Sequence, residues 1–457
     1  MAAQSEDTKR WWVLGAMGGV LSLIVLDQTV VGVALPTIQK DLSLTTIEAH
    51  WVINAYFFVI AVGVAIGGRL ADVFGRMRLF HIGLICFGVA SAGCGLAFDE
   101  TTIIAARLLQ GFGAALIFPC CMAIIANTFA PEQRGLAYGI QTATGGTAMA
   151  LGPFVGGAFS ELITWRAIFW INIPIVLVIA AIVIITGAKT GDDARPEKGS
   201  DASYLDAKGM ALFTFGMGAF VFAVMQVPEW GYSLSLPFLV IGILLVWWFI
   251  KDGLGNPRAF LEVDLFKSRS FTALNLMVFG GQMINIAFTV FLPLYMQQVL
   301  KLSPLMTGIA MLPAVIHLSL TSLWCGTLAD KYSARRLSLT ALAVGCGAAA
   351  AIALGTQLGT YWVLVLPMFV WGFTLPFYYV PVRRAITTAV DPSKHGQASG
   401  ICQAMQLLGG TIYTSFASTI LAQTNSYGAL FLSTCIIPIV IILLGLRWIP
   451  KTEQATS

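Results

Sequence analysis

"GRLADVFGRMRL" at residues 68–79 and "GTLADKYSARRL" at residues 326–337 are one segment written twice. Both copies keep a leading glycine, Leu-Ala-Asp, an aromatic residue, an arginine and a closing leucine. Each follows the second apolar window of a group of six and precedes the third. A duplicated loop in equivalent positions of two six-window groups implies a chain built from two related halves.

The windows themselves point to a membrane. Of 457 residues, 57% are hydrophobic and only 11% charged, a balance far from that of soluble domains. A bilayer core takes about 20 apolar residues per helix. Windows of that kind lie near 12–36, 49–69, 79–97, 102–126, 136–160 and 167–187, then 207–226 and 235–251, then 271–297, 305–328, 337–356, 361–382, 398–422 and 428–448. The expectation is an all-α polytopic membrane protein with fourteen transmembrane helices, arranged as two six-helix bundles plus two inserted helices. Its parts are an N-terminal bundle over 1–187, a polar linker over 188–206 and the inserted pair over 207–253. After them come an interfacial amphipathic helix over 254–270, a C-terminal bundle over 271–449 and a tail over 450–457. The shortest window, near 235, opens at an expected turn at Pro237.

Charge placement agrees with fourteen crossings. With the N-terminus inside, 22 of the 26 Lys and Arg fall on one side; Lys40, Arg166 and Lys301 fall on the other, and Arg107 lies within a window. That bias places both termini in the cytoplasm. It also accounts for the net charge of +4 without any nucleic-acid partner. The first apolar run is too long for a cleaved leader and reads as the first span. The eight cysteines lie in windows without metal-binding spacing, so neither disulfide nor metal is expected.

Several segments together resemble the major facilitator superfamily, specifically its fourteen-span drug:proton antiporters. "GRLADVFGRMRL" resembles the loop signature between the second and third spans, and "RLLQGFGAA", with Arg107, Gln110 and Gly111, the fourth-span signature. "ALGPFVGG", with Gly152, Pro153, Gly156 and Gly157, resembles the fifth-span signature of exporters. "LDQTVVGVALP" at 26–36 is similar to the first-span signature of the fourteen-span group, and "WRAIFWINIP" and "LYMQQVLKLSPLMTG" to further segments common there. The resemblance implies a major facilitator fold and no enzyme activity. It implies proton-coupled export of hydrophobic or amphipathic organic compounds, with no cofactor beyond the proton gradient, by a monomer in a bacterial cytoplasmic membrane. An exporter dedicated to one endogenous metabolite or lipid-like molecule would carry the same motifs. Three positions depart from the pattern: Gly32, Ala148 and the pair Ser333-Ala334. The last implies that the two halves do not gate alike.

The residues carry their own argument. Among 22 Asp and Glu, Asp27 alone falls deep within a window; a carboxylate there is expensive unless it meets a partner or a cavity, and so marks an ion or proton path. Arg107 falls at similar depth, which makes the two a proton-coupling pair. The alternative for Asp27, a packing pin, is the weaker reading because lone intramembrane acids are rare, whereas Arg107 would equally snorkel to the interface. In the repeated loops, Gly68, Asp72, Gly75, Arg76, Arg78, Asp330 and Arg335 read as a gating latch, the arginines serving equally as topology anchors. Asn54, Tyr56, Gln141, Gln282, Asn285, Trp371 and Tyr378 are candidate contacts for an organic substrate, or else interhelical hydrogen bonds. His317, near mid-membrane, is a further substrate contact, a second proton site or a bonded bundle histidine. No nucleophile with a base, metal cluster or phosphate loop argues for an enzyme.

Overall fold

The computed structural model describes residues 2–186, 205–256, 258–302, 304–391 and 394–449. Most of the expected linker, 188–204, and the tail 450–457 lie outside the described residues. Those that are described form helices and connecting turns, with no strand among them.

The first half contains α1 (Ala2–Asp41), α2 (Thr46–Phe74), α3 (Arg76–Gly95), α4 (Glu100–Thr128), α5 (Arg134–Leu162), and the short α6 (Ala167–Trp170) that leads into α7 (Asn172–Thr186). A middle element, α8, runs over Ala207–Gly253. The second half begins with α9 (Arg269–Ile286), which passes through a π-helical turn at Ala287–Phe291 into α10 (Leu292–Gln298). It continues through α11 (Pro304–Ala310), α12 (Leu312–Val315), α13 (Leu318–Lys331), α14 (Ala334–Leu358), α15 (Trp362–Ala389) and α16 (His395–Thr424). The last two elements are α17 (Tyr427–Ser433) and α18 (Ile436–Trp448).

Local chemistry sets these boundaries. Thr45 and Glu48 form a reciprocal capping box at the start of α2, and Asp99 with Thr102 does the same for α4. Between α2 and α3, Gly75 adopts φ 98°, a region closed to residues with a Cβ, and its amide closes α2 on Ala71. Ser333 replaces it before α14 and caps that helix through its side chain instead.

Twelve segments among the described residues are helical, long and apolar enough to cross a membrane. The two expected spans missing from that set are α5 and α16, 29 and 30 residues long. Their Gly, Ala, Ser, Thr and Gln content lowers their hydropathy because they face protein: α5 packs on α1 and α13, and α16 on α2 and α9. Small residues let backbones approach closely where lipid gives no hydrophobic drive for association.

The inserted pair is a hairpin. α8 breaks at Gly231, with φ 70° and ψ 177°, so the turn falls at that glycine and not at Pro237. Its arms meet through Gly216 against Val246 and Gly242 against Phe220, and Lys208 pairs with Asp252 where the arms end. The hairpin packs against both α2 and α16.

The amphipathic helix expected over 254–270 is corrected. That stretch is irregular, with one 3-10 turn at Val263–Lys267, and α9 begins at Arg269. Gly255 takes φ 72°, and Phe260 is buried against Phe213 and Phe249. The apolar side chains meant for a membrane surface are used inside the protein.

Close approach within the second half yields a prediction. A Cβ on Gly372 of α15 would sit 1.8 Å from the Ala314 carbonyl oxygen of α12. Overpacking of this kind costs about 1–3 kcal/mol, so Gly372→Ala should lower the thermal unfolding midpoint of the detergent-purified protein by a few degrees. An unchanged midpoint would mean that α12 yields without strain.

Candidate functional site

Asp27 of α1 is 2% exposed and Arg107 of α4 is fully buried. The Arg107 guanidinium donates from NH1 to Asp27 Oδ2 at 2.6 Å. Two side-chain amides complete the carboxylate: Gln110 Nε2 donates to Oδ1 at 2.9 Å and Asn172 Nδ2 to the same oxygen at 3.2 Å. Both amides also reach Ser91 Oγ. Arg107 is held independently by the Val52 carbonyl at 2.8 Å, by Gln110 Oε1 at 2.6 Å and by the face of Tyr56, 4.4 Å away. One hydrogen-bonded cluster thus ties α1, α2, α3, α4 and α7 together in the apolar interior of the first half.

The sequence placed Asp27, Arg107 and Tyr56 in roles but assigned none to Gln110, Ser91 or Asn172. Neutral polar residues in spans carry little signal alone. Three-residue spacing within α4 puts Gln110 beside Arg107, whereas Ser91 and Asn172 arrive only through packing. Tyr56, expected against a substrate, is part of this cluster.

The glycines of the fifth-span motif bring α5 onto α1 next to Asp27. A Cβ on Gly152 would overlap Thr29, and one on Gly156 would lie 2.9 Å from the Val30 carbonyl oxygen. Gly157 faces open space, and the surroundings of the Pro153 side chain lie outside the described residues. Farther along the seam, Gly18 meets Thr144 and Gly145 meets Leu21.

The repeated loops form a second site, at the end of the bundle where Arg76, Arg134 and Arg384 lie, here called the basic end. Asp72, buried at the end of α2, accepts from the backbone amides of Gly396 at 3.0 Å and Gln397 at 2.7 Å, the first turn of α16 in the other half. Asp330, at the end of α13, accepts from the amides of Gly135 at 2.8 Å and Leu136 at 3.0 Å, the first turn of α5. Each carboxylate therefore caps a helix start in the opposite half, where the exposed amides and the helix dipole favour negative charge. Arg76 bonds Asp72 at 2.8 Å, and Arg384 of α15 bonds Asp330 at 3.0 Å.

At this end the two halves use the loop carboxylate in matching ways. The second loop lacks a counterpart of Arg76, but Arg384 supplies the charge from another helix and both carboxylates bind alike. Arg335 is not that partner: it is partly exposed and donates to the Leu446 carbonyl. Arg78 is exposed. Gly68 permits the crossing, since a Cβ there would lie 2.3 Å from the Gly396 carbonyl oxygen. Further bonds across the halves at this end run from Arg134 and Tyr138 to Thr387 and between His395 and Asn127.

The remaining candidates divide. Gln282 and Asn285 of α9 bond one another, and Gln282 Oε1 also accepts from Tyr379 at 2.6 Å and Gln406 at 3.4 Å. Gln141 is buried on α5 and Asn54 is partly exposed on α2. Trp371 and Tyr378, expected against a substrate, lie in the packed interior of the second half in this state. Trp371 stacks on Phe288 at 4.7 Å with no exposed surface, and Tyr378 bonds Thr374 and packs against Gly281 and Gly345. His317, at the break between α12 and α13, stacks on Phe369 at 4.1 Å, away from the Asp27 cluster.

A sequence model of the Major Facilitator Superfamily matches residues 17–414 and 318–457. The chain belongs to the major facilitator superfamily. Its members are transporters, and the relatives agree. The chain is 32% identical to the puromycin resistance protein pur8 of Streptomyces alboniger, covering 92% of this chain and 83% of that protein. It is 27% identical to the riboflavin transporter RibZ of Clostridioides difficile, covering 93% and 91%. In fold it is similar to the human organic anion transporter MFSD10, with TM-score 0.72 at 14% identity, over 95% of this chain and 99% of that one. The major facilitator architecture is therefore shared across a large difference in sequence.

Proposed function

We propose that this transporter is a proton-coupled antiporter that exports hydrophobic or amphipathic organic compounds by alternating access, with Asp27 as the proton site. The observation that carries the reading is the buried Asp27–Arg107 pair, with its three side-chain donors to one carboxylate. The likeness to a puromycin resistance protein supports the direction of transport. The fourteen crossings comprise the twelve apolar segments plus α5 and α16. Lys and Arg placement sets both termini and the basic end in the cytoplasm, in a bacterial inner membrane, and the protein works as a monomer.

In this scheme the structure is the state closed to the cytoplasm. With Asp27 ionised, the carboxylate neutralises Arg107 and receives Gln110 and Asn172. A proton arriving from outside turns an acceptor oxygen into a donor and removes the charge opposite Arg107. Buried charges that lose their partner are strongly destabilised, so Arg107, still tied to Val52 and Tyr56 on α2, draws α4 and α2 away from α1. The α5 seam beside Asp27 passes this movement toward α13 and the other half. Opening at the basic end then lets the proton leave inward as substrate enters.

The driving force suffices. One proton crossing about 100 mV gains roughly 2.3 kcal/mol, and one pH unit adds about 1.4 kcal/mol. Their sum sustains a gradient of several hundredfold for a neutral compound, at about 1.4 kcal/mol per tenfold.

Puromycin serves as the first probe. Everted vesicles containing the protein and an acidic lumen are expected to accumulate it, and a protonophore should abolish the accumulation. Vesicles that expel puromycin under the same gradient would show an importer and overturn the reading.

The likeness to a riboflavin transporter favours a narrower second reading, export of one endogenous metabolite by the same mechanism. Resistance conferred against many unrelated toxic compounds would select the broad reading, and resistance to none the narrow one.

A further inference from the structure

Arg383 of α15 is 3% exposed, yet no carboxylate pairs with it among the described residues. Its NH2 reaches Gln406 Oε1 at 3.3 Å, its guanidinium lies 5.6 Å from the Tyr379 ring, and its Nε has no hydrogen-bond partner. Nearby on α16, Gln403 donates to Met122 of the other half while its buried Oε1 accepts nothing. Arg107, buried in the other half, meets a carboxylate as well as the Val52 carbonyl and Gln110.

A buried guanidinium without a counterion is among the costliest groups a fold can retain. Among the described residues the rest of the bundle offers no remedy. Asp72 and Asp330 cap the starts of α16 and α5, and Asp27 is committed to Arg107 in the other half. The neighbours of Arg383 are amides, the Tyr379 and Tyr138 phenols and the Cys402 thiol. Gln406 passes to Gln282, which also accepts from Tyr379, so a polar patch extends from Arg383 along α9, α15 and α16. One helical turn beyond Arg383, Thr387 accepts from Arg134 and Tyr138 across the interface. Separation of the halves at the basic end therefore uncovers Arg383 from that side.

We propose that Arg383, with Gln406, Gln403 and Tyr379, is a recognition site for a negatively charged group (carboxylate or sulfonate) on an amphipathic organic compound. The guanidinium fork supplies paired donors that match such a planar or tetrahedral anion. The amides take up its remaining polar edges, and the aromatic ring takes apolar surface next to it. The site specifies the substrate class left open above and rests on the transporter reading. It adds amphipathic anions, for which Asp27 alone makes no provision, to the hydrophobic and amphipathic compounds proposed above.

Two probes that share one ring system isolate the charge: anilinonaphthalenesulfonate and phenylnaphthylamine, which lacks the sulfonate. Binding is measured by fluorescence on the full-length protein in nanodiscs, against empty nanodiscs, and transport in proteoliposomes under a proton gradient. The wild type is expected to bind the sulfonate at least about tenfold tighter than the neutral probe, the scale of one charge-assisted contact. Arg383→Gln should erase that preference while leaving phenylnaphthylamine binding unchanged, and Arg383→Lys should restore part of it. A wild type without preference for the sulfonate overturns the site, as does an Arg383→Gln effect equal for both probes, which marks a structural role. Proton-driven transport of phenylnaphthylamine with no dependence of the sulfonate on Arg383 would remove the site and keep the exporter. Arg383-dependent sulfonate binding without any proton-driven transport would do the reverse.

Discussion

Asp27→Asn should abolish uphill, proton-driven transport while leaving energy-independent exchange of substrate across the membrane. Asparagine keeps the shape of the side chain and one acceptor oxygen, but it carries no charge and cannot bind or release the proton. The protein is then held permanently in the electrostatic condition of the protonated state, with Arg107 opposite a neutral group. Loss of one partner of a buried ion pair is worth about 3–5 kcal/mol, so coupled accumulation should fall by roughly two orders of magnitude or to background. The measurement is accumulation of puromycin in everted vesicles beside counterflow exchange in the same preparation. Retained accumulation against a gradient would remove Asp27 from the proton path, and loss of exchange together with accumulation would indicate misfolding, for which thermal stability is the control.

The second large effect is expected at the basic end. Asp72 and Asp330 each accept two amide hydrogen bonds from a helix start in the opposite half. Hydrogen bonds to charged groups contribute about 1.5–3 kcal/mol, and the helix terminus adds up to ~2 kcal/mol in buried settings. Neutralising both in Asp72→Asn/Asp330→Asn should therefore shift the equilibrium away from the closed basic end by roughly a hundredfold or more. Spin labels at exposed Glu132 and Lys331 report the separation of α5 and α13 there. The wild type should give one short distance and the double variant an added long one, with slowed transport and substrate binding nearly intact. An unchanged distance distribution would reduce the two carboxylates to local helix caps. Because their contacts match, the single variants should be similar in effect.

That last expectation shows what a linear reading could not reach. The Gly68 loop and its copy were legible as a pair because the chemistry of each is local: an aspartate, small residues and basic residues within one turn. The copy looked degenerate at Ser333-Ala334 for the same reason, since Arg384, which takes the place of Arg76, belongs to another helix. Asp27 and Arg107 were legible because ionised groups are conspicuous in apolar windows. Their amide partners were not, because one asparagine or glutamine in a span has many uses and only the packing selects one. Arg383 was hidden by the opposite error. Placed just past an apolar window ending at 382, it counts as an ordinary basic loop residue, whereas α15 continues to Ala389 and carries the guanidinium inside. The amphipathic pattern over 254–270 misled because alternation reports a buried face without saying whether lipid or protein buries it.

The inserted hairpin has a consequence for where compounds reach the protein from the bilayer. It lies on α2 and α16 at once, so it screens the crevice between the halves on that flank. α5 and α13 form the equivalent boundary on the other flank. The pseudo-twofold relation of the two bundles thus stops at the lipid: a molecule dissolved in the membrane meets a shuttered side and an open one. Whatever α2 and α16 do as the halves rock, a shutter resting on both must follow, and the single break at Gly231 gives its two arms a joint about which to do so.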